Sequence, residues 1–550
     1  MNNFLKRYLL SILLVLMGVS LFAQQQEGKK EKEEDLTVSQ RIDQAFTPMV
    51  KTLENLLFLD PFSMMGIYDD QVYDDNGKPV YDENGKPVKA PLKLIVLWLL
   101  AGGLFFTFYL KFIGFRGLKH AIDIIKGKYA KKGSQGEVTP LQSVTTALSA
   151  TVGMGNIAGV ALAIGIGGPG ATFWMIVAGL LGMSLKFAEC TLGIKYRKFD
   201  KDGNASGGPM YYLKYGLQKR GKKMGKLGVF LAFLFAVTVM GGSIGGGNML
   251  QANQAFHQLV VFFPSIEHYG AIYGVFLAVL VGFVIIGGIK SIGKVTEKIV
   301  PLMAGIYILA SLIIIVMNIQ NAGHAFILIF TSAFAPEAIK GGIIGVLIFG
   351  IQRGAFSNEA GIGSSAIAHS ASKNSEPVSE GIVSAIEPFV DTIIICTMTA
   401  LVLIFSGFAE DTQGLAGVQL TSAAFESTIS WFPYILLVAV TLFAFSTIVS
   451  WSYYGLKGFD YLFGSMGEKY FGSRKITNRI FQVSFLIFVI IGSSTDIFTV
   501  MDFSDMMILA MAIPNLLGMF ILAPEIKRDL NAYWKRLKSG ELDREAGIKK

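Results

Sequence analysis

A chain of 550 residues that is 52% apolar and only 16% charged has too few charges to cover the surface of a water-soluble globule, so it reads as a polytopic membrane protein. Its net charge of +8 is the Lys and Arg excess that membrane proteins gather in cytoplasmic loops, and no nucleic-acid partner is needed to explain it. The two cysteines, Cys190 and Cys396, lie in apolar runs and read as small hydrophobes, which excludes a disulfide scaffold or a zinc site.

In chain order, residues 1–23 combine Lys6 and Arg7, a short apolar core and Ala23, the pattern of a signal peptide; an uncleaved first helix is the alternative. Residues 24–91 hold 14 Asp and Glu against 8 Lys and Arg, an acidic stretch in a basic chain, and are expected outside. Within them "TVSQRIDQAFTPMVKTLENLLF" has the spacing of an interfacial helix, and "VYDDNGKPV" followed by "YDENGKPV" repeats an Asn-Gly hairpin turn.

From residue 92 to 523, apolar runs of about twenty residues, the length that crosses about 30 Å of hydrocarbon, predict eleven helices. They fall at 92–112, 140–168, 171–193, 227–256, 270–289, 299–318, 341–371, 380–407, 433–455, 480–495 and 501–523. The connections 113–139, 194–226, 290–298, 456–479 and the tail 524–550 carry most of the Lys and Arg, whereas 257–270 and 408–432 carry none. This alternation predicts a cytoplasmic tail in the cell (inner) membrane, and 323–340 reads as an outer interfacial segment.

Two of these runs are interrupted. The second contains "TVGMGNIAGVALAIGIGGPG" (151–170), and the seventh carries Arg353, Ser357, Asn358 and Glu359 among glycines. Glycine costs a helix about 1 kcal/mol relative to alanine, and unwound backbone survives in a membrane only against protein or a wet cavity. A broken helix offers N–H groups to an anion and C=O groups to a cation at the same depth. Gly155 and Gly159 also fit a packing seam, the alternative reading of the first interruption. Helices two and seven cross in opposite directions, so residues of about 140–318 and 341–523 form two five-helix halves, an inverted repeat preceded by one extra helix.

The segments "SATVGMGNIAGVALAIGIGGPGATFWM", "GMSLKFAECTLGIKYR", "RGAFSNEAGIGSSAIAH" and "LFAFSTIVSWSYYGLKGFDYLFG" resemble the bacterial alanine or glycine:cation symporter family. The departures are Ala366, where that family usually has a proline, and the 91-residue start. The resemblance implies an all-α, LeuT-like five-plus-five fold that takes up a small neutral amino acid, alanine or glycine, with Na+ (or H+). It implies no cofactor; serine or glutamine is the alternative substrate, and lipid surrounds the chain. Carried over by position, amides at Gly153, Met154 and Gly155 hold the substrate carboxylate. Thr151 and Asn156 lie by both substrate and a cation. Ser149, Val152, Phe443, Ser446 and Thr447 supply oxygens to a second Na+. Gln251, Phe356, Ser357, Asn358 and Trp451 line the pocket.

The other intramembrane charges read as structural: a Lys186–Glu189 pair, a repelling Glu387 and Asp391, Glu359 as a helix cap or a partner of Arg353, and a lone His369. No His-x-x-x-His pair occurs and no Gly-x-Ser-x-Gly nucleophile elbow is expected, so an enzyme is not expected, and a channel would not need paired interruptions.

Overall fold

The computed structural model describes residues 60–66, 71, 79, 93–129, 133–201, 203–334 and 342–548. The expected signal peptide, the interfacial helix of 37–58 and the two Asn-Gly turns lie outside them. The described chain is helical apart from short connections and a two-stranded hairpin, as an all-α polytopic membrane protein requires.

Helix α1 (Leu94–Tyr109) meets α2 (Ile113–Ile125) at a bend of 73°, where Lys111 and Phe112 take positive φ. Helix α2 is amphipathic and presses Ile113, His120, Ala121 and Ile124 inward, so part of the expected 113–139 loop is helix. Helix α3 (Pro140–Thr151) starts at a capping box between Thr139 and Gln142 with Pro140 at its first position, which fixes where the second span begins. It bends by 50° into α4 (Gly155–Gly167), and α5 (Ala171–Lys195) follows.

The basic connection after α5 is ordered. Strands β1 (Lys198–Phe199) and β2 (Ala205–Ser206) pair antiparallel, and residues 209–216 form a helical turn with Tyr212 and Leu213 buried. Then come α6 (Lys222–Phe262), α7 (Gly270–Ile285), α8 (Gly288–Met317) and α9 (Ala322–Phe334), the last matching the start of the expected outer interfacial segment. Helix α10 (Gly342–Asn358) breaks before the short α11 (Ser365–His369), and α12 (Pro377–Phe405) and α13 (Gly417–Thr428) follow.

Helix α14 (Phe432–Phe471) runs for 40 residues, about 60 Å, twice the hydrocarbon thickness. Most of the expected 456–479 loop is therefore its C-terminal extension, whose Lys457 bonds Ala205 O (2.7 Å) and Ser206 Oγ (3.1 Å). Helices α15 (Arg474–Gly492), α16 (Ile497–Ala510), α17 (Ala512–Lys538) and α18 (Glu541–Glu545) complete the chain. Helix α17 passes through Pro524 without ending there, so the tail 524–550 begins as a continuation of the last span.

By length and composition eight described helices can cross a membrane, or ten if the two bent pairs each count as one. The interrupted seventh span is not among them, because Arg353, Glu359 and the break cut its apolar run short. The helical order agrees with the expected spans, while the number eleven is not reached by this measure.

Candidate substrate and ion site

The first break is built from backbone groups that lose their helical partners. Helix α3 ends where Val152 turns extended (φ −75°, ψ 90°), and the chain re-enters through a π-turn at Gly155–Gly159. Gly153 N–H donates to Asn156 Oδ1 (2.8 Å) and Met154 N–H to Gln251 Oε1 (3.0 Å). Gly153 owes its lack of a side chain to close approach: a Cβ there would lie 2.6 Å from Thr447 Oγ1 and 2.9 Å from Gln251 Oε1. A Cβ on Gly159 would meet only Met154 O, at 3.9 Å, so the expected packing seam at Gly159 is not formed.

The second break touches the first. A Cβ on Gly155 would reach Ser357 Cα at 3.4 Å and Phe356 Cδ1 at 3.5 Å. Glu359 and Gly361 both take positive φ as the chain turns between α10 and α11. Phe356 stands between the breaks and α6, where a Cβ on Gly246 would lie 3.3 Å from Phe356 Cζ. Asn358 faces α12 instead, donating to Thr392 Oγ1 (3.0 Å) and accepting from Ala360 N–H (2.9 Å).

The group that joins the two breaks is Asp391, which sequence reading set aside as one half of a repelling pair. Its Oδ1 accepts from Asn156 Nδ2 (2.7 Å) and its Oδ2 from Ser357 (2.7 Å) and Thr392 (2.8 Å). It is fully buried and makes no ion pair among the described residues. The Cys396 thiol lies beside it, 3.3 Å from Asn156 Nδ2 and 3.1 Å from Ser357 Oγ, so this cysteine belongs to a polar cluster rather than to apolar packing. Thr399 donates to Asn156 O (2.8 Å) and bonds Tyr307 (2.7 Å), which fixes the break from the far side. The sequence signal for this cluster was the spacing of Asp391, Thr392, Cys396 and Thr399 along one face of α12.

A second set of oxygens gathers where α3 meets α14. Thr447 Oγ1 donates to Ser149 O (2.8 Å) and Val152 O (3.4 Å), and Ser149 Oγ donates to Ser446 O (2.7 Å). Ser446 Oγ bonds back to Phe443 O (3.1 Å) and touches Met303 Sδ (3.2 Å). Hydrogen bonds thus link the five residues expected around a second Na+, and neutral hydroxyl and carbonyl oxygens are the donor type that suits a hard cation. Thr151 donates its hydroxyl proton back to Ala147 O and Leu148 O (3.3 Å each). Trp451 Nε1 donates to Ala150 O (3.3 Å) and Glu359 Oε1 (3.1 Å), tying the two breaks together. Its ring fills the space of Gly247, where a Cβ would lie 2.2 Å from Trp451 Cγ, a reason for the glycines of α6 that their sequence does not state.

The charges expected to pair along one helix pair across helices instead. Lys186 meets Glu387 (3.2 Å) and Ser365, while Glu189 accepts from Asn515 (2.9 Å). His369 stands between Glu380 (2.7 Å) and Glu387 (2.5 Å), so it is not a lone histidine. Arg353 forms a bidentate pair with Asp505 (3.0 and 2.5 Å) rather than with Glu359. At the start of α3 and just past α11, Glu137 N–H donates to Ala371 O (2.7 Å) and Lys373 N–H to Val138 O (2.7 Å). The Arg197 guanidinium bonds the carbonyls of Gln135, Ser370, Ser372 and Asn374 (2.6–3.0 Å), lacing the chain before α3 to the chain after α11. The spelling Gly-x-Ser-x-Gly at 241–245 also occurs, but Ser243 lies inside α6 with its hydroxyl on Trp451 O (2.7 Å).

Two broken membrane helices that meet in a buried polar cluster are the architecture of a membrane transporter. Residues 81–546 match the model of the sodium:alanine symporter family, and the chain belongs to that family of sodium-coupled amino-acid symporters. It is similar to the sodium/alanine symporter AgcS of Methanococcus maripaludis, 40% identical over 81% of this chain and 95% of that protein. It is also similar to the probable sodium/glutamine symporter GlnT of Bacillus subtilis, 33% identical over 82% of this chain and 89% of that protein. A solved structure of MhsT in complex with L-phenylalanine aligns at 17% identity with a TM-score of 0.46, covering 71% of this chain and 89% of that one.

Proposed function

We propose that this chain carries alanine or glycine inward across the cell membrane together with Na+, by alternating access on a LeuT-like pair of inverted five-helix halves. The observation that carries the reading is the meeting of the two breaks at Gly155 and Ser357, flanked by Asp391 on one side and the Thr447 oxygens on the other. The substrate carboxylate takes the amides of Met154 and Gly155, beside the Gly153 N–H that Asn156 Oδ1 already holds, and its ammonium faces the acceptors of the α10 break. One cation sits at Thr151 O, Asn156 and Asp391, where the buried carboxylate supplies the charge that the neutral neighbours lack. A second sits among Ser149, Val152, Phe443, Ser446 and Thr447.

A small side chain is favoured because Phe356 closes the space between Gly155 and Gly246. The kinship with AgcS, named a sodium/alanine symporter, points the same way, while the similarity to GlnT keeps glutamine as the second reading. The tail lies in the cytoplasm and the N-terminal segment outside, with Arg353–Asp505 closing the outer path and the Arg197 lacing the inner one. A thermal-shift titration of the purified chain against the neutral amino acids tests the reading. Stabilisation by alanine or glycine only with Na+ present supports it, and equal stabilisation without Na+ overturns it.

A further inference from the structure

A buried N–H needs an acceptor, and the acceptors chosen at the first break differ in kind. Gly153 N–H uses Asn156 Oδ1, three residues on. That acceptor is locked, because the Asn156 amide also holds Asp391 and its carbonyl takes Thr399. Met154 N–H uses Gln251 Oε1, which comes from another span, 97 residues away. Among the described residues, Gln251 is tied at its other end only by its Nε2 on Gly246 O (2.8 Å), within the π-turn of α6. One acceptor is thus part of the break, and the other is a long side chain with rotatable bonds resting on it.

We infer that Gln251 is an internal stand-in for the substrate carboxylate, holding the Met154 N–H until an amino acid displaces it. This rests on the proposed function, which gives that N–H to the carboxylate. Displacement exchanges a neutral acceptor for a charged one, so the exchange runs toward the bound substrate. It also unties α6 from the α3–α4 break, so arrival of substrate is felt on a helix that packs against α14 and α16. A ligand without a carboxylate cannot make the exchange and has to break the Gln251 bond without replacing it.

Equilibrium binding of labelled alanine to the full-length purified chain in Na+ buffer tests the inference with three variants. Gln251→Leu and Gln251→Ala remove the competing acceptor, and both are expected to bind alanine roughly fivefold more tightly, the factor of one neutral hydrogen bond's net worth. Gln251→Glu tethers a charged acceptor over the same N–H and is expected to bind alanine roughly tenfold or more weakly. Melting temperatures supply the second readout: the rise on saturating alanine is larger than wild type in Gln251→Leu and smaller in Gln251→Glu. Weaker alanine binding by Gln251→Leu with an undiminished melting temperature overturns the inference, making Gln251 a direct substrate contact. If Gln251→Leu and Gln251→Ala do not fold, wild-type affinity in Gln251→Glu overturns it equally. Failure of the wild-type chain to bind any neutral amino acid overturns the proposed function instead.

Discussion

Gly153 is the residue whose replacement most directly probes how the first break and the Thr447 oxygens depend on each other. In Gly153→Ala the new methyl would sit 2.6 Å from Thr447 Oγ1 and 2.9 Å from Gln251 Oε1, inside any tolerable contact. Neither neighbour yields without breaking a bond, since Thr447 is held to Ser149 O at 2.8 Å and Gln251 to Met154 N–H at 3.0 Å. Overpacking of this kind costs about 1–3 kcal/mol, and a loosened hydrogen bond about 1 kcal/mol more, a total of about 2–4 kcal/mol. Pushing the Thr447 hydroxyl away from the two carbonyls also spoils the cation shell, so Na+ affinity should fall by roughly tenfold or more, about 1.4 kcal/mol. Gly159→Ala is the control, because its methyl meets only Met154 O at 3.9 Å. It should leave the chain unharmed or add a few tenths to about 1 kcal/mol through helix propensity. Thermal stability measured across a Na+ titration reports both terms. A Gly153→Ala chain with wild-type stability and Na+ dependence would refute the reasoning.

Other consequences are equally open to test. Asp391→Asn keeps the size and most of the hydrogen bonds of the cluster while removing its charge; alanine binding should lose its Na+ dependence by roughly tenfold or more in half-saturating Na+, read by binding at varied Na+. Arg353→Ala leaves the nearly buried Asp505 without its cation, a loss of about 3–5 kcal/mol, whereas the exchanged pair Arg353→Asp with Asp505→Arg should recover part of the stability and of the uptake rate. Arg197→Ala frees four carbonyls beside the broken spans, and a reporter cysteine placed between Arg197 and the break should react with a thiol reagent several-fold faster from the side on which Arg197 lies.

The apolar runs and the two interruptions were legible in the sequence, because each depends on local chemistry, whereas the residues expected around a second Na+ came from the family resemblance. Glycines beside charged residues cannot continue a lipid-facing helix. What pairs with what was not legible. Spacing along α5 suggested Lys186 with Glu189, but the partner is Glu387, 201 residues on, since the packing of α12 against α5 brings it to 3.2 Å. The same limit hid Asp505 from Arg353 and Glu380 from His369. The glycine at position 153 was legible as a break, and its reason, the Thr447 hydroxyl, was not. Helix ends were misjudged where α14 and α17 run on past the membrane, because Lys and Arg end an apolar run without ending a helix.

The central claim is that the two meeting breaks couple Na+ entry to amino-acid uptake, and reconstitution tests it most directly. Proteoliposomes carrying the purified chain, given an inward Na+ gradient and labelled alanine, should accumulate alanine above its external concentration and lose that accumulation when the gradient is collapsed. Equilibration of alanine without accumulation, under a Na+ gradient and a proton gradient alike, would contradict the account.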